Sequence, residues 1–316
     1  MRIVATCPVS ERHVARLLET VPTAEIQVCR DIAQAQPFLA AVEVLLTYGE
    51  DLTAEILDAC PRLRWIQVIS AGLELLPWQA LQERQILVTN ARGIHRVPMA
   101  EHTLGMILAF ARRFWETFRN QGTATWDRSI RVEEITGKVL GVIGAGAIGG
   151  EIAQRAQAFG MRTIGLATVV RPLAGFDEVV DRTGLDRLLT ESDYVVVAVP
   201  LTRETQGMIG ARELSLMQTT AVLINIARGK VIDEEALLEA LQSGKIRGAA
   251  LDVFATEPLP ADHPFWSLTN CVLTPHISGR SPKYMERAQE IFRHNLKVYM
   301  TGTGVMVNVV DLNRGY

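Results

Sequence analysis

The sequence predicts an α/β protein of two lobes, each built around a parallel sheet, with a ligand cleft between them. Two observations carry that expectation. Short runs of Val, Ile and Leu alternate with helical patterns in two separate series, the signature of βαβ units. Between the series lie a long apolar helix pattern and a polar stretch without a clear period, and 316 residues leave room for two domains. With 48% hydrophobic residues, such a chain can bury a large core without disulfides or a structural metal.

The first series consists of strand patterns at residues 3–5, 25–29, 42–47, 65–68 and 86–88. Its helical patterns at 10–19 and 53–59 open on Ser10 and Thr53, hydroxyl residues suited to N-caps. The helix pattern at 98–114 begins on Pro98, a residue tolerated in a first turn. An irregular stretch follows at 120–137. The second series places strands at 139–143, 162–166, 194–199, 221–224, 248–251 and 272–273, with helices at 147–159 and 233–243. Six such strands match a complete dinucleotide-binding sheet. The amphipathic pattern at 282–300 has no further sheet to join in the second lobe and is expected to return to the first. The expected division is therefore 1–97 with 281–316 as one domain, and 98–280 as the other.

Charge and composition exclude several functions. The 32 Lys+Arg against 35 Asp+Glu leave a net charge of −3, so no electrostatic footprint for nucleic acid exists. No apolar run is long enough to span a bilayer, since even 98–114 carries Glu101, His102, Arg112 and Arg113. The first residues read as a strand and lack the apolar core and cleavage site of a signal peptide. Cys7, Cys29, Cys60 and Cys271 are scattered with no Cys-x-x-Cys. They read as reduced thiols of a cytoplasmic protein, forming neither a disulfide framework nor a zinc site.

Two sets of residues carry chemistry. The strand at 139–143 runs into Gly144-Ala145-Gly146-Ala147-Ile148-Gly149 and then a helix, the Gly-x-Gly-x-x-Gly order of a dinucleotide turn. Gly144 would allow the tight turn, Gly146 the approach of a pyrophosphate, and Gly149 close packing of helix on strand. The helix N-terminus would supply N–H groups and a positive dipole end. The acid that usually binds the ribose 2′-hydroxyl is missing: the next strand ends at Ala167-Thr168, and the next acid is Asp177. Nothing there repels a 2′-phosphate, and Thr168 or Arg171 could hold one. NADP(H) is the expected cofactor, with NAD(H) the alternative.

The second set is Arg228, Glu257 and His276. Each falls at the expected carboxyl end of a late strand, where open α/β sheets bind ligands. They are too far apart in sequence for local geometry to unite them. Alone, each is as easily a surface arginine, a turn glutamate or a structural histidine; together, beyond a nucleotide turn, they suggest a site.

The chain resembles the D-isomer-specific 2-hydroxyacid dehydrogenases. The resemblance rests on Gly144–Gly149, Val199-Pro200-Leu201-Thr202, Asn225-Ile226-Ala227-Arg228-Gly229, Asp252-Val253-Phe254-Ala255-Thr256-Glu257-Pro258 and Thr274-Pro275-His276-Ile277-Ser278-Gly279. Ser70-Ala71-Gly72 and Met99-Ala100-Glu101-His102 also match, so nearly the whole chain is covered. It implies Rossmann-like and flavodoxin-like lobes and reduction of a small 2-oxo acid to the D-2-hydroxy acid. His276 is then the general acid/base, Glu257 fixes its tautomer, and Arg228 binds and polarises the substrate. Gly144, Gly146, Ala147, Ile148, Gly149, Thr168, Arg171, Pro200, Ile226, Ala227, Asp252 and Gly279 fall to the cofactor. Ser70, Ala71 and Gly72 fall to the substrate, with Arg228 and His276. The resemblance also implies a homodimer, for which the 98–114 helix and the arm around Trp126 are candidate contacts.

Two features of the sequence depart from the family pattern. Ala167 stands where many relatives carry Asp, and the loop after His276 continues through Arg280, which reads as a surface arginine before a helix. A 3-phosphoglycerate dehydrogenase type is the runner-up, although many of those carry a regulatory domain for which the chain has no room. A non-catalytic dinucleotide sensor of the corepressor kind is the alternative from outside the enzymes; it has less need of a general acid. A formate dehydrogenase would pair its histidine with Gln rather than Glu257, and a methyltransferase would leave all three residues unexplained.

Overall fold

A computed structural model describes residues 1–70, 72–73 and 75–312. It divides the chain into two compact units, residues 1–94 with 281–316, and residues 95–280.

In the first unit, among the described residues, β1 (Arg2–Ala5), β2 (Glu25–Val28), β3 (Val44–Thr47), β4 (Trp65–Val68) and β5 (Leu87–Thr89) form a five-stranded parallel sheet in the order β2-β1-β3-β4-β5. Strand residues alternate between two cores. Ile3, Val44, Leu46 and Trp65 face one, while Val4, Leu45, Ile66 and Val68 face the other. Burial on both faces explains the continuous Val/Ile/Leu runs. Ser10 and Thr53 cap their helices through bonds from His13 N–H and Ile56 N–H. The C-terminal helix Tyr284–Thr301 belongs to this unit, burying Ala288, Phe292 and Leu296 at i, i+4 and i+8. Phe292 meets Trp65 with ring centroids 5.3 Å apart.

A buried polar network secures the same helix. Trp65 Nε1–H donates to Thr89 Oγ1 (2.8 Å), whose hydroxyl donates to Gln67 Oε1 (2.7 Å). Asn295, fully buried, exchanges both of its amide groups with the backbone of Val307. It thereby holds the chain that runs back along β5, where Val309 bridges Thr89.

In the second unit, β6 (Val139–Ile143), β7 (Arg162–Leu166), β8 (Glu178–Val180), β9 (Tyr194–Val197), β10 (Val222–Asn225), β11 (Gly248–Leu251) and β12 (Cys271–Leu273) form, among the described residues, a seven-stranded parallel sheet. Its order is β12-β11-β10-β9-β6-β7-β8. The direction of winding reverses between β6 and β9, the switch point at which doubly wound sheets receive ligands. All strands run the same way, so every loop that follows a strand lies on one edge.

The structure differs from the sequence reading by a few residues at several element ends and at the division between the units, which falls at 94/95 where 97/98 was expected, and most clearly in two places. β8 is a seventh strand, held by pairing with β7 and by Glu178, which bonds Arg162 and Arg187; three residues show no period of their own. The helix expected at 98–114 runs Arg96–Arg112, and a second helix, Phe114–Gly122, starts directly after it. Arg113 between them is left-handed (φ +57°), anchored by its ion pair with Glu116 and by its guanidinium 5.1 Å above the Trp115 ring. Among the described residues, no helix is long and apolar enough to cross a membrane.

Candidate active site

The turn after β6 satisfies the spatial demands expected of its glycines. Gly144 adopts φ +112°, and a Cβ there would meet Ala198 backbone atoms at 2.8 Å. At Gly149 a Cβ would fall 2.1 Å from Gly144 O, so the helix Ala147–Ala158 can approach its strand only without a side chain. Gly146 is different: nothing lies within 4 Å of its would-be Cβ. The helix has Gly146 as N-cap, no side-chain cap and no acid in its first turn. The first N–H groups, including those of Ala147 and Ile148, therefore face an open, electropositive approach. These residues fit a dinucleotide pyrophosphate.

At the end of β7, Ala167 N–H is bonded to Val180 O, and Thr168 and Arg171 are exposed. Asp177, the next acid along the chain, accepts from Thr163 N–H (2.8 Å), Thr163 Oγ1 (3.0 Å) and Gln157 Nε2 (3.0 Å). Those bonds hold its carboxylate below the ordinary aspartate pKa and tie it near the start of β7, away from Ala167.

The loops after β10, β11 and β12 are interlocked. Asn225, buried at the end of β10, accepts from Ala227 N–H and donates to Arg228 O, shaping the turn that presents Arg228. Ile226 and Ala227 are buried, and Arg228 Nη1 donates to Ala227 O. Gly229 follows because a Cβ there would sit 1.9 Å from Phe254 C, in the loop after β11. That loop is pinned twice more: Phe254 N–H donates to Glu257 Oε1 (2.9 Å) and Ala255 N–H to Glu234 Oε1 (2.7 Å). The other oxygen of Glu257, Oε2, lies 2.7 Å from His276 Nδ1. The imidazole and its carboxylate are thus paired, with side chains 48% and 35% exposed, so the ring remains reachable.

His276 stands at φ +52°, a left-handed conformation uncommon outside glycine. Its surroundings hold it there. His276 N–H donates to Asp252 O, and the Asp252 carboxylate accepts from Thr274 Oγ1 (2.6 Å), Ile277 N–H (2.9 Å) and Ser278 N–H (2.8 Å). Asp252 is only 1% exposed. Burial alone would raise its pKa, but the hydroxyls of Ser278 and Thr274 and the two N–H groups outweigh that and hold it below the ordinary value. Asp252 is ionised and serves the loop that carries His276.

Of the remaining expected residues, Pro200 is exposed and its carbonyl accepts from Thr205 Oγ1. Gly279 O lies 3.2 Å from His95 Nδ1. Arg280 is exposed. In the first unit, Ser70 Oγ donates to Gly72 O (2.9 Å), while Ala71 lies outside the described residues. Sequence reasoning assigned nothing to Asn225, Gly229, Glu234 or Thr274. Asn225, Gly229 and Thr274 lay within the motifs that carry the resemblance, with no role attached to them; Glu234 had no signal.

A doubly wound parallel sheet with a Gly-x-Gly-x-x-Gly turn at its switch point is the architecture of dinucleotide-binding proteins. Comparison with known proteins gives the family. The profile described as D-isomer specific 2-hydroxyacid dehydrogenase, NAD binding domain, matches residues 104–278. A glyoxylate reductase of Thermococcus gammatolerans is 38% identical over 270 residues, 83% of this chain and 80% of that protein. A D-3-phosphoglycerate dehydrogenase of Methanocaldococcus jannaschii is 33% identical over 99% of this chain but 60% of its own length. Among solved structures, the NADPH-dependent glyoxylate/hydroxypyruvate reductase of Sinorhizobium meliloti, in complex with NADP and sulfate, superposes with a TM-score of 0.82 at 25% identity, covering 100% of this chain and 99% of that one. The chain belongs to the D-isomer-specific 2-hydroxyacid dehydrogenase family.

Proposed function

We propose that this protein reduces a small 2-oxo acid of the glyoxylate or hydroxypyruvate kind to its D-2-hydroxy acid, with NADPH favoured over NADH. The observation that carries the proposal is the 2.7 Å pairing of His276 Nδ1 with Glu257 Oε2 on the edge that also bears the glycine turn. With Nδ1 engaged, Nε2 is the ring nitrogen left for substrate. The turn at Gly144–Gly149 and the N-terminus of the helix Ala147–Ala158 would hold a reduced nicotinamide dinucleotide, which would supply the hydride for the carbonyl carbon. His276 delivers a proton from Nε2 to the carbonyl oxygen and ends neutral, its remaining proton on Nδ1 toward Glu257. The Glu257 carboxylate, 2.7 Å from Nδ1, orients the ring and fixes its tautomer. Arg228, whose turn is set by Asn225 and Gly229, offers donors to the substrate carboxylate and to the developing oxyanion.

The preference for NADPH is supported by the missing acid at Ala167, by Asp177 being tied to Thr163, and by the exposed Arg171 and Thr168. A phosphorylated 2-oxo acid is the second substrate class, favoured by the phosphoglycerate dehydrogenase relative. A panel of plain and phosphorylated 2-oxo acids, assayed with both cofactors through the reduced-nicotinamide absorbance, tests the proposal. Turnover of short unphosphorylated acids with NADPH is expected. Oxidation of neither cofactor by any 2-oxo acid would overturn the enzyme reading and favour a dinucleotide sensor.

The protein also presents Phe118 and Trp126 at 66% and 91% exposure, with the Phe114 ring stacked 6.0 Å from that of Phe118. An aromatic patch of this kind marks an association surface, and a second copy of the chain is its proposed partner. Light scattering should give a dimer mass that Trp126→Glu lowers; a monomeric wild type would refute the assignment.

A further inference from the structure

One partly buried ionisable side chain has no part in the chemistry above. His102 lies on the helix Arg96–Arg112, and its Nε2 is 3.4 Å from Thr274 Oγ1. The Thr274 hydroxyl has a single proton, and that proton is committed to Asp252 Oδ1 at 2.6 Å. Thr274 is therefore the acceptor toward His102, and His102 carries its proton on Nε2. Burial, which pushes the pKa of His102 down against the pull of Asp252, keeps the ring in this neutral form. The direction of the whole chain of bonds follows. His102 Nε2–H donates to Thr274, Thr274 donates to Asp252, and Asp252 receives Ile277 N–H and Ser278 N–H from the far side of His276.

We infer that His102 is a positioning residue for His276. It acts through Thr274 and Asp252 to hold the 274–278 loop in the left-handed arrangement that aims the imidazole. The kinetic consequence rests on the proposed role of His276 as proton donor; the structural consequence does not. Removing the His102 donor takes away the contact that, with Asp252, fixes the Thr274 side chain between the helix and the loop. The Thr274–Asp252 bond that helps to anchor the loop is then held less firmly.

Two substitutions separate the donor from the bulk. His102→Gln retains an N–H at about the position of Nε2, and His102→Leu fills similar space without a donor. Amide hydrogen exchange at Ile277 and Ser278 is read in both variants, with kcat for glyoxylate reduction and the dissociation constant of NADPH. In His102→Leu, exchange at both amides is expected to quicken roughly tenfold, the scale of one net hydrogen bond. Its kcat is expected to fall by a similar factor, with NADPH affinity within about threefold of wild type. In His102→Gln all three quantities are expected to stay within about threefold of wild type. Unchanged exchange in His102→Leu would overturn the inference, as would equal impairment of both variants. If the wild type reduces no 2-oxo acid, the proposed function fails, while the exchange arm still decides the role of His102.

Discussion

Replacing Gly229 by alanine should disable the site while leaving the nucleotide turn intact. The new Cβ would sit 1.9 Å from Phe254 C and 2.2 Å from Ala255 N, where ordinary contact begins at 3.4 Å. The obstacle is backbone, so rotamer changes cannot relieve it. The 254–255 peptide must retreat by about 1.5 Å, a distance that takes Phe254 N–H out of reach of Glu257 and Ala255 N–H out of reach of Glu234. Glu257 loses the bond that aims its other oxygen at His276. Overpacking of this kind destabilises by about 1–3 kcal/mol, and a misplacement near 1 Å lowers turnover about 100-fold. Steady-state NADPH oxidation should therefore show kcat down by roughly two orders of magnitude. Cofactor affinity, read by fluorescence titration, should fall by less than kcat, because the turn at Gly144–Gly149 follows β6, two strands away from β10 in the sheet. A Gly229→Ala enzyme with kcat within threefold of wild type would refute the claim that this backbone contact sets Glu257 and Arg228.

Three further outcomes follow from the same geometry. Arg171→Glu should lower the ratio of kcat/KM for NADPH over NADH by at least tenfold, about 1.4 kcal/mol; an unchanged ratio would remove Arg171 from phosphate recognition. Asp252→Asn should destabilise by about 1–3 kcal/mol in denaturant titrations, since one buried donor to the carboxylate loses its acceptor. Asp252 has a lowered folded pKa, so its contribution is present above the ordinary value of 3.8 and is lost as pH falls through the folded value. The variant should show a shallower loss of stability with acid than the wild type; an equal slope would contradict the assignment. Asn295→Leu should leave Val307 N–H and C=O without their partner, weaken the fold by about 1–3 kcal/mol and speed amide exchange at Val307. Unchanged exchange there would show that Asn295 does not hold the C-terminal segment.

Much of the architecture was legible because parallel strands buried on both faces leave uninterrupted apolar runs. Residues 139–143, 162–166 and 248–251 coincide with β6, β7 and β11. The glycine turn was legible for a related reason, as steric exclusion at Gly144 and Gly149 leaves no other residue type. β8 was not, because Glu178-Val179-Val180 owes its strand state to a neighbour and to two arginines. The helix break at Arg113 was hidden for the same kind of reason: an ion pair and a ring contact hold a conformation that no local propensity announces. At the site, Arg228, Glu257 and His276 stood out by residue type and position, and the resemblance assigned their roles. The parts that orient them lay within the matching segments, but nothing in their residue types or spacing pointed to a role. Thr274 and His102 have ordinary types for a loop and a helix, and Asn225 reads as the end of a strand. Their function is a hydrogen-bond geometry between segments, which only the folded chain creates.

Pre-steady-state oxidation of NADPH by glyoxylate, compared between wild type and His276→Asn, tests the central claim most directly. Asn keeps a polar group of similar reach but cannot donate a titrating proton. The wild type should consume NADPH and glyoxylate one for one, and the variant should bind NADPH normally while its transfer step slows by about 10²- to 10⁴-fold. A variant that transfers hydride within tenfold of the wild-type rate would contradict the assignment of His276 as the proton donor.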